Sequence, residues 1–342
     1  QRHAIMEALL YRPLDDRQVR CDLCHQRCTI AEEKRGICGV RHNRAGRLIS
    51  LVFGRLVAAN ADPIEKKPLY HFQPGSRSYS IATVGCNFRC RFCQNADIAQ
   101  MPADRDGQIM GREMTPESVV AAALAERCRS IAYTYTEPTV FFEMAYETAR
   151  LAHDQGLKNV FVTNGYMTAE ALAMIAPVLD GANVDLKAFS DRFYARYCGA
   201  KLAPVLETLK AMKQCGIWVE VTTLIIPGLN DDAAELERLA AFMAEELGAE
   251  TPWHISRFHP TYKLLDRPPT PVATLKRAHD IGLAAGLRYV YMGNVPGQGG
   301  ENTVCPGCGK TVIERRGFSI KGYHIEKGRC RLCNTPVDGV EL

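Results

Sequence analysis

Cys86-Asn87-Phe88-Arg89-Cys90-Arg91-Phe92-Cys93 decides how this chain is read. The stretch follows a strand-like run at 79–84 and Gly85, a residue that lets the backbone turn sharply. Three thiolates spaced C-x3-C-x2-C on a short loop suit three irons of a [4Fe–4S] cube. No fourth cysteine stands nearby, so one iron is left for a ligand that is not protein.

Working outward, the pattern from about residue 76 is strand, loop, helix, repeated. Strands are expected at 79–84, 130–135, 159–163, 182–186, 218–226, 253–258 and 289–292. Amphipathic helices are expected at 116–127, 140–153, 168–179, 203–214, 233–247 and 272–285. Strands that alternate with helices form a parallel sheet with right-handed crossovers. Six or seven such units predict an α/β fold, a partial, open (β/α) barrel. Catalytic groups of such barrels gather at the C-terminal strand ends. Here those ends carry the three-cysteine loop, Tyr135-Thr136-Glu137-Pro138, Thr163-Asn164-Gly165, Asp185-Leu186-Lys187, Ile226-Pro227-Gly228 and Arg257-Phe258-His259-Pro260. A polar rim is the ordinary state of solvated loops. Five polar ends in order behind a cysteine loop are harder to explain that way.

The chain holds 14 cysteines, and eleven of them fall into three clusters. Short C-x2-C spacings without a secretory signal read as metal ligands rather than disulfides. Cys21, Cys24, Cys28 and Cys38 form C-x2-C-x3-C-x9-C, enough for a closed zinc site or a fully ligated auxiliary cluster, with zinc slightly preferred. Cys305, Cys308, Cys330 and Cys333 have the spacing of a structural zinc ribbon. Cys128 and Cys215 read as free buried thiols in helices. Three units follow: a Cys-rich module and linker over 1–75, the barrel over 76–296, and a four-cysteine ribbon over 297–342. A hairpin is expected near 48–58, and the two prolines in Asp62-Pro63-Ile64-Glu65-Lys66-Lys67-Pro68-Leu69 predict an extended linker. The run 295–302 is a glycine-rich connector without the spacing of a phosphate loop.

Composition is that of an ordinary globular protein, 46% hydrophobic and 23% charged. A net charge of +4 with no long basic run gives no indication of nucleic-acid binding. With no long apolar span and no signal-peptide pattern, no membrane contact and a cytoplasmic location are expected.

The cysteine loop, with Phe92 before its last cysteine, is that of the radical S-adenosylmethionine (SAM) enzymes. That resemblance implies SAM chelated at the open iron and cleaved by one electron to methionine and a 5′-deoxyadenosyl radical. Cys86, Cys90 and Cys93 would then hold the cluster, and Glu137, Asn164, Asp185, Lys187 and His259 would contact SAM. The barrel also resembles the glycyl-radical-enzyme activating enzymes such as the pyruvate formate-lyase activase, through Thr163-Asn164-Gly165, Asp185-Leu186-Lys187 and Ile226-Pro227-Gly228. It departs from them at Val162, where they carry an Asp of an accessory monovalent-cation site.

A fuller resemblance, along nearly the whole chain, is to the radical SAM member of the AmmeMemoRadiSam system. It rests on 21–43, 63–72 (PIEKKPLYHF), 85–95, 133–143 (YTYTEPTVFFE), 193–200 (FYARYCGA), 252–264 (PWHISRFHPTYKL) and 305–340. That resemblance implies Memo-like and AMMECR-like partners and a one-electron donor such as flavodoxin or ferredoxin. Two other readings stand beside it: activation of a glycyl-radical enzyme, and a metal-binding scaffold that no longer reacts.

Overall fold

The computed structural model describes residues 6–295, 297 and 299–342. Pro296 and Gln298 of the glycine-rich connector lie outside the described residues. The centre is one eight-stranded sheet, with strands β1 (Ala58–Pro63), β2 (Arg77–Ala82), β3 (Ser130–Tyr133), β4 (Lys158–Thr163), β5 (Gly181–Asp185), β6 (Trp218–Ile225), β7 (Trp253–Arg257) and β8 (Val290–Gly293) in sequential order. From β2 to β8 every neighbour is parallel. β1 and β8 are the two edges, so the sheet is a partial barrel, as expected. All seven expected strands are present within a residue or two at most ends.

These strands are buried along nearly their whole length, which is why they read as apolar runs rather than as alternation. Helices α1 (Pro116–Ala125), α2 (Phe142–Asp154), α3 (Ala169–Ile175), α4 (Ala203–Gln214), α5 (Ala233–Phe242) and α6 (Val272–Ala284) cover the outside. Thr115, Thr168 and Asp232 cap three of them by accepting from Ser118 N, Ala171 N and Glu235 N. Cys128 is buried, whereas Cys215 is exposed just past the end of α4, not buried as expected.

Two expectations for the N-terminal part need correction. The hairpin lies earlier, pairing Arg41–Arg44 with Arg47–Ser50. Asp62 and Pro63, read as the start of the linker, instead end β1, which pairs antiparallel with β2 from Ala58↔Ala82 to Pro63↔Arg77. Pro63 is tolerated because it ends an edge strand, where a missing N–H leaves no inner ladder broken. Only residues after it, Ile64–Lys66, turn away in a short 3-10 helix.

The C-terminal strands Thr311–Arg316 and Ser319–Tyr323 form a hairpin, and the tail packs across the β6–β8 side of the sheet floor. Arg315, fully buried, donates to Tyr70 O and Thr303 Oγ1. Val340 exchanges backbone hydrogen bonds with His71 and Gln73. Beneath them Glu220 accepts from Tyr70 N, His71 N and Trp218 Nε1 and pairs with His254 Nε2 at 2.6 Å.

His71 joins floor and tail. Its Nδ1 lies 2.6 Å from Asp338 O, which only accepts, so Nδ1 carries the proton and Nε2 accepts from Tyr291 OH. Burial holds this imidazole neutral, with its pKa lowered to about 4. The unfolded chain therefore binds the extra proton first, and stability is full above the ordinary histidine pKa and falls below it. Going from pH 7 to pH 5 should cost about 2 kcal/mol through this residue. Thermal unfolding at the two pH values should show a smaller difference for His71→Asn, which keeps a donor to Asp338 O but does not titrate.

Candidate functional site

The loop after β2 places Cys86, Cys90 and Cys93 at the C-terminal mouth of the sheet. Its backbone is clamped by the segment 193–200: Arg89 N donates to Cys198 O at 2.7 Å and Arg91 N to Tyr197 O at 3.0 Å. Gln100 Nε2 adds a bond to Phe88 O. Cys198, which spacing left unassigned, is fully buried beside Cys90. The neighbouring Cys198 and burial push the Cys90 thiol well up, and burial pushes Cys93 up to about 11. Loading these thiols with metal therefore releases protons.

The three cysteines open onto a cleft of about 1370 Å³, its open mouth included. Glu137, Asn164, Asp185 and Lys187 also line it, so the barrel brings together four of the five side chains expected around SAM. The fifth, His259, is exposed two residues past β7 and does not line the cleft. β7 presents Ser256 to the cleft instead, before the chain turns outward.

Glu137 is present but committed. Its carboxylate accepts from Thr139 N, Thr139 Oγ1, Thr163 Oγ1 and Asn164 N, at 2.6–3.0 Å. It caps the 3-10 helix Pro138–Phe141 and ties the end of β3 to the end of β4. Three of these bonds fall on Oε1 and one, from Asn164 N, on Oε2, so the carboxylate positions the rim. Asn164 Nδ2 donates to Asn87 Oδ1 at 2.7 Å and lies 3.9 Å from Cys86 Sγ, which ties β4 to the cysteine loop. Lys187 Nζ is 3.0 Å from Asp185 Oδ2 and 5.8 Å from the Phe92 ring centre. Burial opposes its charge, but Asp185 and the thiols of Cys90 and Cys198 hold its pKa well above the usual value. Val162, the departure from the activases, lines the same cleft as an apolar side chain.

One group escaped the sequence reading. Lys66 lines the cleft, and Lys66 and Lys67 both pair with Asp62 at 2.8 Å. Tyr135 OH donates to the same carboxylate, and Lys67 Nζ lies 4.3 Å from the Tyr135 ring centre. Burial pushes Asp62 up, yet the two lysines and Tyr135 hold its pKa well below the carboxylate range. The Asp62-x3-Lys66 spacing was the available signal, since four residues is the reach of a helical turn.

The residues fit a cube better than a single ion. Three cysteines share one cleft, yet among the described residues no three of their sulfurs lie within 4.8 Å of one another. In the tail, Cys305, Cys308, Cys330 and Cys333 do meet that limit.

Sequence comparison agrees with this geometry. The Radical SAM superfamily profile matches residues 80–242. An uncharacterized protein of Methanocaldococcus jannaschii is 49% identical over 334 residues, covering 97% of this chain and 98% of that protein. The chain belongs to the radical SAM superfamily. It is an enzyme of that superfamily, for which a [4Fe–4S] cluster and SAM are the implied cofactors. It is also similar to the pyruvate formate-lyase-activating enzyme of Clostridium pasteurianum, at 25% identity over 49% of this chain and 69% of that one. The crystal structure of a radical SAM methyltransferase from Sphaerobacter thermophilus superposes with a TM-score of 0.49 and 17% identity, covering 68% of this chain and 70% of that one. No described helix is long and apolar enough to cross a membrane.

Proposed function

We propose that this enzyme cleaves SAM reductively and uses the product radical to abstract hydrogen from a substrate, as a member of the AmmeMemoRadiSam system. The observation that carries the reading is the convergence of three cysteines, Asn164 and the Asp185–Lys187 pair on one cleft. When bound, the cluster and SAM supply the 5′-deoxyadenosyl radical; the organic chemistry is theirs.

The chain's own residues do the rest. Cys86, Cys90 and Cys93 hold three irons, and the clamp from 193–200 fixes the loop that carries them. Lys187 offers a positive charge to the SAM carboxylate. Asp185, beside it, orients the ammonium and offers an acceptor at ribose height. Glu137 sets the spacing between the ends of β3 and β4, and through Asn164 N the height of the floor under SAM. Thr134, Thr136 and Ser256 complete the polar wall. The apolar Val162 keeps a carboxylate, and with it an activase-type cation, out of this wall.

Anaerobically reconstituted enzyme, reduced by flavodoxin or dithionite in the presence of SAM, should release 5′-deoxyadenosine and methionine. Absence of deoxyadenosine from protein with full iron content would defeat the reading and leave a metal-binding scaffold. The whole-length resemblance supports Memo-like and AMMECR-like partners, a cytoplasmic setting and a flavodoxin or ferredoxin donor. Co-purification of Memo-like and AMMECR-like proteins from the native host checks the partners. Capture of a large glycyl-radical enzyme instead would favour the activase reading, which the similarity to the Clostridium activase supports.

The tail cysteines are proposed to hold zinc. Tetrahedral zinc with bonds of about 2.3 Å sets its sulfurs about 3.8 Å apart. Cys305 and Cys333 sulfurs are 3.5 Å apart, and those of Cys308 and Cys330 are 3.9 Å apart. Cys333→Ser should lower bound zinc by about one ion per chain, by metal analysis, and leave iron unchanged.

A further inference from the structure

Cys21, Cys24, Cys28 and Cys38 line a single pocket, with Arg41 and Asn87 in its wall. Their spacing leaves zinc and an iron–sulfur cluster both open, but the two differ in size. A zinc ion draws four sulfurs to about 3.8 Å from one another. The tail meets that condition, and the N-terminal set does not: among the described residues no three of its sulfurs lie within 4.8 Å of one another. Cys86, Cys90 and Cys93 share this wider arrangement around their own cleft. Sulfurs that bind the corners of an iron–sulfur cube stand apart, with the cube between them.

The wall supplies what such a cube needs. Arg41 is 2% exposed and its Nη1 pairs with Glu143 Oε1 at 3.0 Å, yet its Nε has no hydrogen-bond acceptor. Asn87 Nδ2 is likewise buried without a partner. Buried N–H groups left unpaired are costly, and a sulfur-rich anion in this pocket would accept from them.

We propose that Cys21, Cys24, Cys28 and Cys38 bind a second [4Fe–4S] cluster, ligated by four thiolates and therefore closed to SAM. It stands beside the first. Gln26 Nε2 donates to Asn87 O at 2.9 Å, and Asn87 adjoins Cys86. Gly85, at φ +98°, leaves room for the neighbouring turn: a Cβ there would sit 2.5 Å from Val40 Cγ1 and 2.9 Å from Cys38 O. The two cysteine loops are thus packed against each other, and their metal centres share the Asn87 side chain as a partition.

This proposal is independent of what the barrel cleft does, and the test separates them. The full chain carrying Cys86→Ala, Cys90→Ala and Cys93→Ala together is reconstituted anaerobically with iron and sulfide. It should retain about four irons and four sulfides per chain, with the Mössbauer spectrum of a [4Fe–4S] cluster, and its reduced EPR signal should not move on adding SAM. The unsubstituted chain should hold about eight irons. Loss of all iron from the triple variant, or about four irons and two zincs in the unsubstituted chain, would overturn the proposal in favour of an N-terminal zinc.

Discussion

Cys90→Ala is expected to abolish both the SAM-responsive cluster and the formation of 5′-deoxyadenosine. Cys90 is 7% exposed, the most buried of the three loop cysteines, and lies beside Cys198. Removing it leaves two thiolates, too few to hold a cube against loss of iron, and Cys198 stands behind the loop as a tempting substitute. The fold should persist, since the loop backbone is held by Cys198 O and Tyr197 O rather than by the thiol. Circular dichroism should therefore be unchanged while deoxyadenosine falls to background. Turnover at the unsubstituted rate would show that the loop is not the reaction centre.

Lys187→Ala carries the second large effect. If Lys187 meets the SAM carboxylate, its loss removes a charge-assisted contact of roughly 1.5–3 kcal/mol. SAM affinity should fall about ten- to a hundredfold, with iron content unchanged. The substitution also leaves Asp185 without its 3.0 Å partner, so the cleft becomes more negative exactly where a carboxylate should bind. Asp185→Asn with Lys187 intact separates the two contributions: it should weaken SAM binding less. Equal SAM affinity in Lys187→Ala and the parent would place SAM away from the end of β5.

The barrel was readable because strands buried on both faces are apolar runs, and all but the last are followed by a helix, three of these helices being capped by a side chain. β1 was not, because Ala-Ala-Asn-Ala-Asp-Pro is poor in strand formers and its only sheet neighbour is antiparallel β2. The rim was readable as a set but not member by member. Glu137 and Asn164 sit where a ligand contact was expected, yet both are occupied by neighbours whose positions depend on the register between β3, β4 and the cysteine loop. His259 was misplaced because the residue that faces the cleft is decided by the pleat of β7, which picks Ser256, and by the turn after Arg257. The contact of Lys66 and Lys67 with Asp62 and Tyr135 depends on β1 joining the sheet, so it was not visible from a reading in which Asp62 and Pro63 begin a linker. Cysteine spacing picked out the tail set, whose four sulfurs converge, and grouped the other seven cysteines into the two sets that line separate pockets. It could not say how far apart the sulfurs stand, and that distance is what distinguishes the tail from the N-terminal pocket.

The measurement that bears most directly on the central claim is EPR of the reduced, reconstituted enzyme, with and without SAM carrying magnetic isotopes in its amino and carboxylate groups. An iron left open by Cys86, Cys90 and Cys93 predicts a cluster signal that shifts on adding SAM and shows hyperfine coupling to both labelled groups. A spectrum indifferent to SAM, with no coupling to either label, would contradict the account.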